Sequence, residues 1–356
     1  MRDRQRETPI QIVISTFPPK HCGIGRYADQ FAERLSEQGR QVLRIALPQG
    51  HGEKQVRLDG RLRPLRLLGL TRRRDELWIM WGPSFYVSGG RLSRILSWAS
   101  MGVVLRRRSA RVVMHEPDHP VAPGRHWARS MPSKLEAAAA KWFWKSPSTW
   151  MFHTERNRCE FLDEHPFVQR TERTELLDHG AGFRPSAVAS RSRAREQLGL
   201  DEGATILLCL GFIGSLKGFD RAVRAFAIAT SDSSQNAELH IVGSAIYETP
   251  QVRDYINGLE ELVRRTPYVE LHEEWVSDAE FDLWLQACDV LVAPYVKIYS
   301  SSVVERARMF GRPAIVTAVG GLPEQIGDGD TVVANDAELA TAIAAAISGN
   351  PNGDVG

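Results

Sequence analysis

Several features are scarce in this chain of 356 residues, and each scarcity argues against a class of protein. There are four cysteines, Cys22, Cys159, Cys209 and Cys288, spread far apart with no CxxC pair. That excludes a disulfide framework and a thiolate metal cluster, and it suits a reducing compartment. No apolar run approaches the roughly 20 residues that cross a bilayer. The N-terminal MRDRQRETPIQIVIST carries charges but no long apolar stretch, which argues against a secretory leader. Formal net charge is only +2, so no general affinity for nucleic acid is expected. Repeats of solenoid period and low-complexity tracts are absent as well. A cytoplasmic protein follows.

What is present is ordinary globular material: 43% apolar and 25% charged residues, in a length that suits two domains. Short β-rich runs alternate with helix-length segments, which predicts parallel α/β architecture. Strands are expected at Gln11–Ser15, Gln41–Leu47, Leu77–Trp81, Arg111–His115 and Trp150–His153. In the second half they are expected at Thr205–Leu210, Leu239–Val242, Val269–His272, Val290–Ala293 and Ala314–Thr317. Helical patterns lie between them, at Arg26–Glu37 and Lys134–Lys145, then Phe219–Ala229, Val252–Arg265, Asp278–Ala287, Ser302–Phe310 and Ala337–Ile347. Each half reads as a doubly wound unit. The polar, basic stretch 184–198 reads as a linker between domains 1–183 and 199–348, and the breaker-rich 349–356 as a disordered tail. Two such domains predict a cleft lined by strand C-terminal ends, where ligands of doubly wound sheets bind.

Three strand-to-helix turns carry the chemistry. The first strand runs through Thr16 to Cys22 into Gly23-Ile24-Gly25-Arg26-Tyr27, where glycines let amides approach a phosphate. Ala28 stands where a dinucleotide fingerprint needs its third glycine, which disfavours an NAD-dependent oxidoreductase. The second domain repeats the device with Gly211 to Gly214 and then Lys217-Gly218-Phe219-Asp220, a lysine at a helix start that suits a diphosphate. The third turn holds Ser300, Ser301, Ser302, Val303, Val304 and Glu305. Serines there cap a helix and leave N–H groups available, and Glu305 one turn in can accept from a vicinal diol such as a ribose. Taken singly, each has a plainer reading: a tight turn, a solvated lysine, a glutamate complementing a helix dipole.

Together, and in this order, these segments resemble the retaining glycosyltransferases of the GT-B fold, family 4. The family pattern runs GGIGRY, KGFD and SG-x-x-x-E-A-x-A-x-G-x-P-V-x-x-T-x-x-G-G-x-P-E. This chain has CGIGRY, KGFD and SSVVERARMFGRPAIVTAVGGLPE. The resemblance implies that Gly23 and Gly25 approach the donor diphosphate or the acceptor and that Lys217 pairs with the diphosphate. It also implies that the amides near Ser301–Val304, with Gly214 and Ser300 beside them, hold the distal phosphate. Glu305 would hold the nucleotide ribose, and His115 would lie beside the reacting sugar. The implied donor is a GDP- or UDP-sugar, with no cofactor and no metal. The implied acceptor is a sugar, a lipid-linked molecule or another small molecule. The chain departs from the family at Phe212 and Gly214, where an arginine is usual, and at Lys297, where a glutamate is usual. Those changes motivate an alternative, a catalytically weakened sugar-nucleotide-binding partner or sensor.

Two other signals compete. Asp328-Gly329-Asp330 spells a DxD metal motif of another glycosyltransferase fold, but its surroundings read as a turn. The arginine- and leucine-rich stretches 57–74 and 91–108 suit either peripheral contact with the inner face of the cell membrane or solvated helix faces.

Overall fold

The computed structural model describes residues 9–115, 134–168, 173–231, 236–245 and 248–349. The chain forms two compact units, Met1–Asp178 and His179–Gly356. Among the described residues no helix is long and apolar enough to cross a membrane.

The first unit is built on seven strands: β1 (Gln11–Ser15), β2 (Val42–Ala46), β3 (Lys54–Gln55), β4 (Glu76–Trp81), β5 (Ser109–Met114), β6 (Thr149–Phe152) and β7 (Thr174–Leu176). They form one sheet in the order β3-β2-β1-β4-β5-β6-β7, and all neighbouring pairs are parallel. Its helices are α1 (Gly23–Glu37), α2 (Arg66–Leu70), α3 (Pro83–Tyr86), α4 (Arg91–Arg107), α5 (Lys134–Trp144) and α6 (Glu155–Glu164). The central strands are buried on both faces and are apolar along their length, as a helix-covered parallel sheet requires. Trp81, Trp98, Phe143, Trp144 and Trp150 fill one side with rings in contact, the Trp81 and Phe143 centroids being 4.7 Å apart.

The second unit has six parallel strands: β8 (Thr205–Leu210), β9 (Ala237–Gly243), β10 (Val269–Glu273), β11 (Val290–Ala293), β12 (Ala314–Thr317) and β13 (Thr331–Val333). Their order is β10-β9-β8-β11-β12-β13. The helices are α7 (Arg191–Leu198), α8 (Phe219–Thr230), α9 (Pro250–Arg264), α10 (Asp278–Ala287), α11 (Ser302–Met309), α12 (Leu322–Gln325) and α13 (Asp336–Ser348). Both sheets therefore reverse strand order, between β1 and β4 and between β8 and β11, the switch points where such folds place ligands. The expected fold class, two doubly wound Rossmann-like domains of GT-B type, is the one found.

The stretch 184–198 is not a free linker. The chain passes from the first unit to the second between Asp178 and His179, and 184–198 belongs to the second. The Ser186 and Ala189 amides donate to Asp282 Oδ2 and Gln286 Oε1 at 2.6 Å each. Arg195 is fully buried and donates to the carbonyls of Ala287, Asp201, Glu202 and Ala204 and to Asp289 Oδ2 at 2.6 Å. Polar, basic sequence resembles a solvated linker; here its arginine instead collects chain ends from several elements. Of the expected tail, 350–356 lies outside the described residues.

The arginine-rich stretches are also tied inward. Arg57 and Arg63 bind Asp59, and Arg94 pairs with Glu136 at 2.6 Å. Arg106 lies over Trp142, and Arg108 donates to Thr71 and Leu68. These internal bonds account for the basic residues involved, and no observation here points to a membrane.

Replacing Arg195 with leucine should leave the Ala287, Asp201, Glu202 and Ala204 carbonyls without that donor and Asp289 with Arg191 as its remaining cation, at a cost of about 3 kcal/mol. Urea unfolding checks this, and a loss below about 1 kcal/mol would mean that 184–198 does not anchor the unit.

Candidate functional site

In the second unit, β8 leads into the turn 211–218, which lies against the C-terminal end of β11. Gly218 has φ +62°, and a Cβ there would stand 2.3 Å from the Pro294 carbonyl oxygen, so only glycine fits on both counts. The Val296 amide donates to the Leu216 carbonyl at 2.9 Å, and Arg221 donates to the Pro294 carbonyl at 3.0 Å. The clamped turn delivers Lys217, whose Nζ lies 3.9 Å from the centroid of the Tyr295 ring. Tyr295 is buried; its carbonyl accepts from Thr317 Oγ1 at 2.6 Å, and its hydroxyl lies 3.5 Å from Ser301 Oγ.

Ser301 is the N-cap of α11. Its hydroxyl accepts from the Val304 amide at 3.3 Å, while its own amide donates to Gln325 Oε1 at 2.7 Å. This narrows the expected phosphate grip. Of the amides between Ser301 and Val304, two are spent within the protein, and those of Ser302 and Val303 are left without a protein partner among the described residues. Glu305 is buried and already engaged: Oε1 accepts from Gln325 Nε2 at 2.8 Å, and Oε2 lies 3.5 Å from Arg308. Ser300 is half-buried at the approach to the cap. Gly214 is extended, with open space where a Cβ would be, so the turn does not demand glycine there.

Two residues of this assembly escape reading from the sequence. Gln325, buried in α12, bonds the Ser301 amide and carbonyl, Glu305 and His179, and its own carbonyl accepts from Arg308 at 2.9 Å. The obligate donor at Ser301 sets which end of the amide is oxygen. Tyr295, the platform under Lys217, is the other. Its only sequence signal is an aromatic just past the proline that ends an apolar strand. The departures from the family pattern also find places: Phe212 packs on Trp275 with centroids 5.8 Å apart, and Lys297 is exposed. The DxD turn is bonded within its own unit, Asp330 accepting from the amide of Ala314 at the start of β12 and from that of Gly327 at 2.7 and 2.8 Å.

In the first unit, Gly25 sits where a Cβ would meet Thr16 Oγ1 at 2.6 Å, whereas Gly23 has open space around it. Ser15 and Thr16, at the end of β1, are buried with hydroxyls that have no protein partner among the described residues. His115 follows β5, with Nε2 3.4 Å from Met80 Sδ and its ring 4.8 Å from that of Tyr27 and 5.0 Å from that of His153. His153 Nδ1 donates to the Leu177 carbonyl at 3.1 Å. Burial, then the neighbouring His153, holds His115 well below the usual imidazole range, so it is a neutral ring near pH 7.

Residues 204–349 match the family described as glycosyl transferases group 1. Curated relatives include the D-inositol 3-phosphate glycosyltransferase of Streptomyces avermitilis, 32% identical over 188 residues, covering 50% of this chain and 36% of the relative. That of Streptomyces coelicolor is 30% identical over 151 residues, covering 40% and 32%. The chain thus spans only about a third of the length of the curated relatives it matches. Among solved structures, Anabaena Alr3699/HepE in complex with UDP aligns with TM-score 0.68 at 15% identity, covering 96% of this chain and 90% of that one. The catalytic domain of starch synthase IV from Arabidopsis thaliana, bound to ADP and acarbose, aligns at 0.67 and 12%, covering 96% and 92%. These structures share the fold.

The half-buried His153 and His165 set a pH dependence. Burial brings His153 to about 4, against the Leu177 hydrogen bond and the charge of Asp178, and brings His165 to about 4. Unfolded imidazoles titrate near 6.5, so below that value the unfolded chain takes up protons that the native chain refuses. Stability should be level above about pH 7 and fall as pH drops from about 6.5 towards 4. His153→Asn should make that fall shallower in calorimetric scans; an unchanged profile would remove His153 as a source.

Proposed function

We propose that this protein is a glycosyltransferase that moves a hexose from a nucleoside-diphosphate sugar, GDP- or UDP-linked, to an acceptor hydroxyl with retention of configuration. The observation that carries the reading is the convergence at one switch point of Lys217, held over Tyr295, with the uncommitted Ser302 and Val303 amides of α11. An ammonium and two helix-start amides form a grip for a diphosphate. The group 1 match over 204–349 supports the same chemistry, as do neighbours that bind UDP and ADP.

In the reaction, the bond between the anomeric carbon and the diphosphate oxygen breaks as the acceptor oxygen bonds to that carbon on the same face. The acceptor proton passes to the departing diphosphate. Negative charge grows on that diphosphate, and Lys217 with the two amides stabilises it most at the transition state. No protein nucleophile and no metal enter this scheme. Glu305, held by Gln325 and Arg308, presents a carboxylate to the nucleotide ribose. Gly23, Gly25 and His115 are assigned by family resemblance to the acceptor and the transferred sugar. Sugars, lipid-linked oligosaccharides and natural-product aglycones fit the acceptor class, with polysaccharide, glycolipid or glycosylated natural-product synthesis as the setting.

A second reading, a sugar-nucleotide-binding partner or sensor with weak turnover, draws on the Phe212–Trp275 pair and the exposed Lys297, both at positions where the family uses charges that touch the donor. Transfer and donor-hydrolysis assays separate the two. Turnover of UDP- or GDP-sugars that falls about 10²–10³-fold in Lys217→Ala supports the enzyme. Thermal stabilisation by UDP or GDP with no turnover supports the sensor, and stabilisation by NAD alone overturns both.

A further inference from the structure

A cluster of four titratable side chains in the second unit plays no part in that chemistry. Strands β9 and β10 pair in parallel with Glu270 opposite His240 and His272 opposite Val242. Side chains alternate along a strand, so Glu238 and His240 share a face of β9, and Glu270 and His272 share the adjoining face of β10. The strands thereby gather two imidazoles and two carboxylates on one patch, at the edge strand of the sheet.

The geometry within the patch is specific. His240 is buried, and its Nε2–H donates to Glu238 at 2.9 Å. That bond consumes one ring nitrogen and leaves Nδ1 as a lone pair facing His272 Nε2 at 3.1 Å. Glu270 Oε2 lies 3.7 Å from that Nδ1 and 3.4 Å from that Nε2. The last two separations are longer than good hydrogen bonds. They match the edges of a coordination tetrahedron instead: ligand bonds of about 2.0–2.1 Å place neighbouring ligand atoms about 3.3–3.4 Å apart. The three atoms lie within 4.8 Å of one another. Trp284 of α10 covers the two imidazoles, its ring 5.5 Å from His240 and 5.0 Å from His272, which supplies the apolar wall that metal sites use.

We propose that His240 Nδ1, His272 Nε2 and Glu270 bind a divalent transition cation of the zinc class, with water in the fourth position on the exposed Glu270 side. Two nitrogens and one carboxylate suit zinc over magnesium or calcium. Glu238 orients His240 from behind, the carboxylate–histidine pairing common in such sites. Bound metal cross-links the edge strand β10 to β9. This inference does not rest on the glycosyltransferase reading, since among the described residues these four side chains bond with one another and not with Lys217 or the start of α11.

The test uses the full chain, stripped with a chelator and dialysed, then titrated with zinc chloride in a calorimeter and with cobalt(II) in a spectrophotometer. Expected are one zinc per chain, cobalt ligand-field bands of tetrahedral intensity, and a rise in Tm with zinc. Glu270→Gln, at an exposed position, should weaken zinc binding at least about 10-fold, and Glu238→Gln about 10-fold through His240 alone. His272→Gln should abolish the cobalt bands. Absence of zinc binding in the stripped chain overturns the proposal and leaves a proton-bridged imidazole pair. So does binding that His272→Gln and Glu270→Gln leave unchanged, which would place the cation elsewhere. UDP- and GDP-induced stabilisation, measured in the same variants, should not move, so failure here is distinguishable from failure of the donor site.

Discussion

The second unit is organised by one close approach: the backbone of Gly218 against the carbonyl of Pro294. That contact admits no side chain, and it joins the turn after β8 to the end of β11 across the reversal of strand order. The placement of Lys217 hangs from it. Lys217 reaches over Tyr295 because its neighbour is pinned, and Tyr295 stays put because Thr317 holds its carbonyl and α11 begins beside its hydroxyl. A strand ladder alone would place these elements in register but would leave the lysine free to swing. The aromatic platform limits that freedom, and among the described residues no carboxylate pairs with the ammonium.

Much of this was legible in the sequence, and the reasons differ by element. Central strands such as β1, β8, β11 and β12 are short, apolar and bounded by turn residues, and their expected limits match those observed. The edge strands β3, β7 and β13 were missed because they have two or three residues, mostly exposed, with no alternation to betray them. The three strand-to-helix turns were readable because glycine, lysine and serine punctuate them where a strand gives way to a helix. Gln325 was not, since a buried amide gains meaning only from the partners that folding brings to it. Arg195 misled for the same reason: the residue type that usually signals a solvated stretch here saturates buried carbonyls.

The positions at which the chain departs from its resemblance are structurally settled. Phe212 has an aromatic partner, and Lys297 extends from a segment whose backbone is bound to Leu216. Neither leaves a buried polar group unsatisfied. The departures alter the chemistry that the second unit displays while its framework stays intact, which is how one fold comes to host different sites. The comparisons have the same character, with shared architecture at 12–15% identity and a family match confined to 204–349.

Gln325 has a consequence beyond holding Glu305 in place. Its side chain binds the cap of α11, the first-turn carboxylate and His179 at once, so the start of that helix is held in place by the protein alone. A ligand that meets it need not order the helix end, and the entropy of association is spent on the ligand alone. Such preorganisation also favours discrimination by shape. A ligand whose polar groups are displaced by an ångström cannot draw the α11 amides after it, because moving them would break the buried hydrogen bonds centred on Gln325.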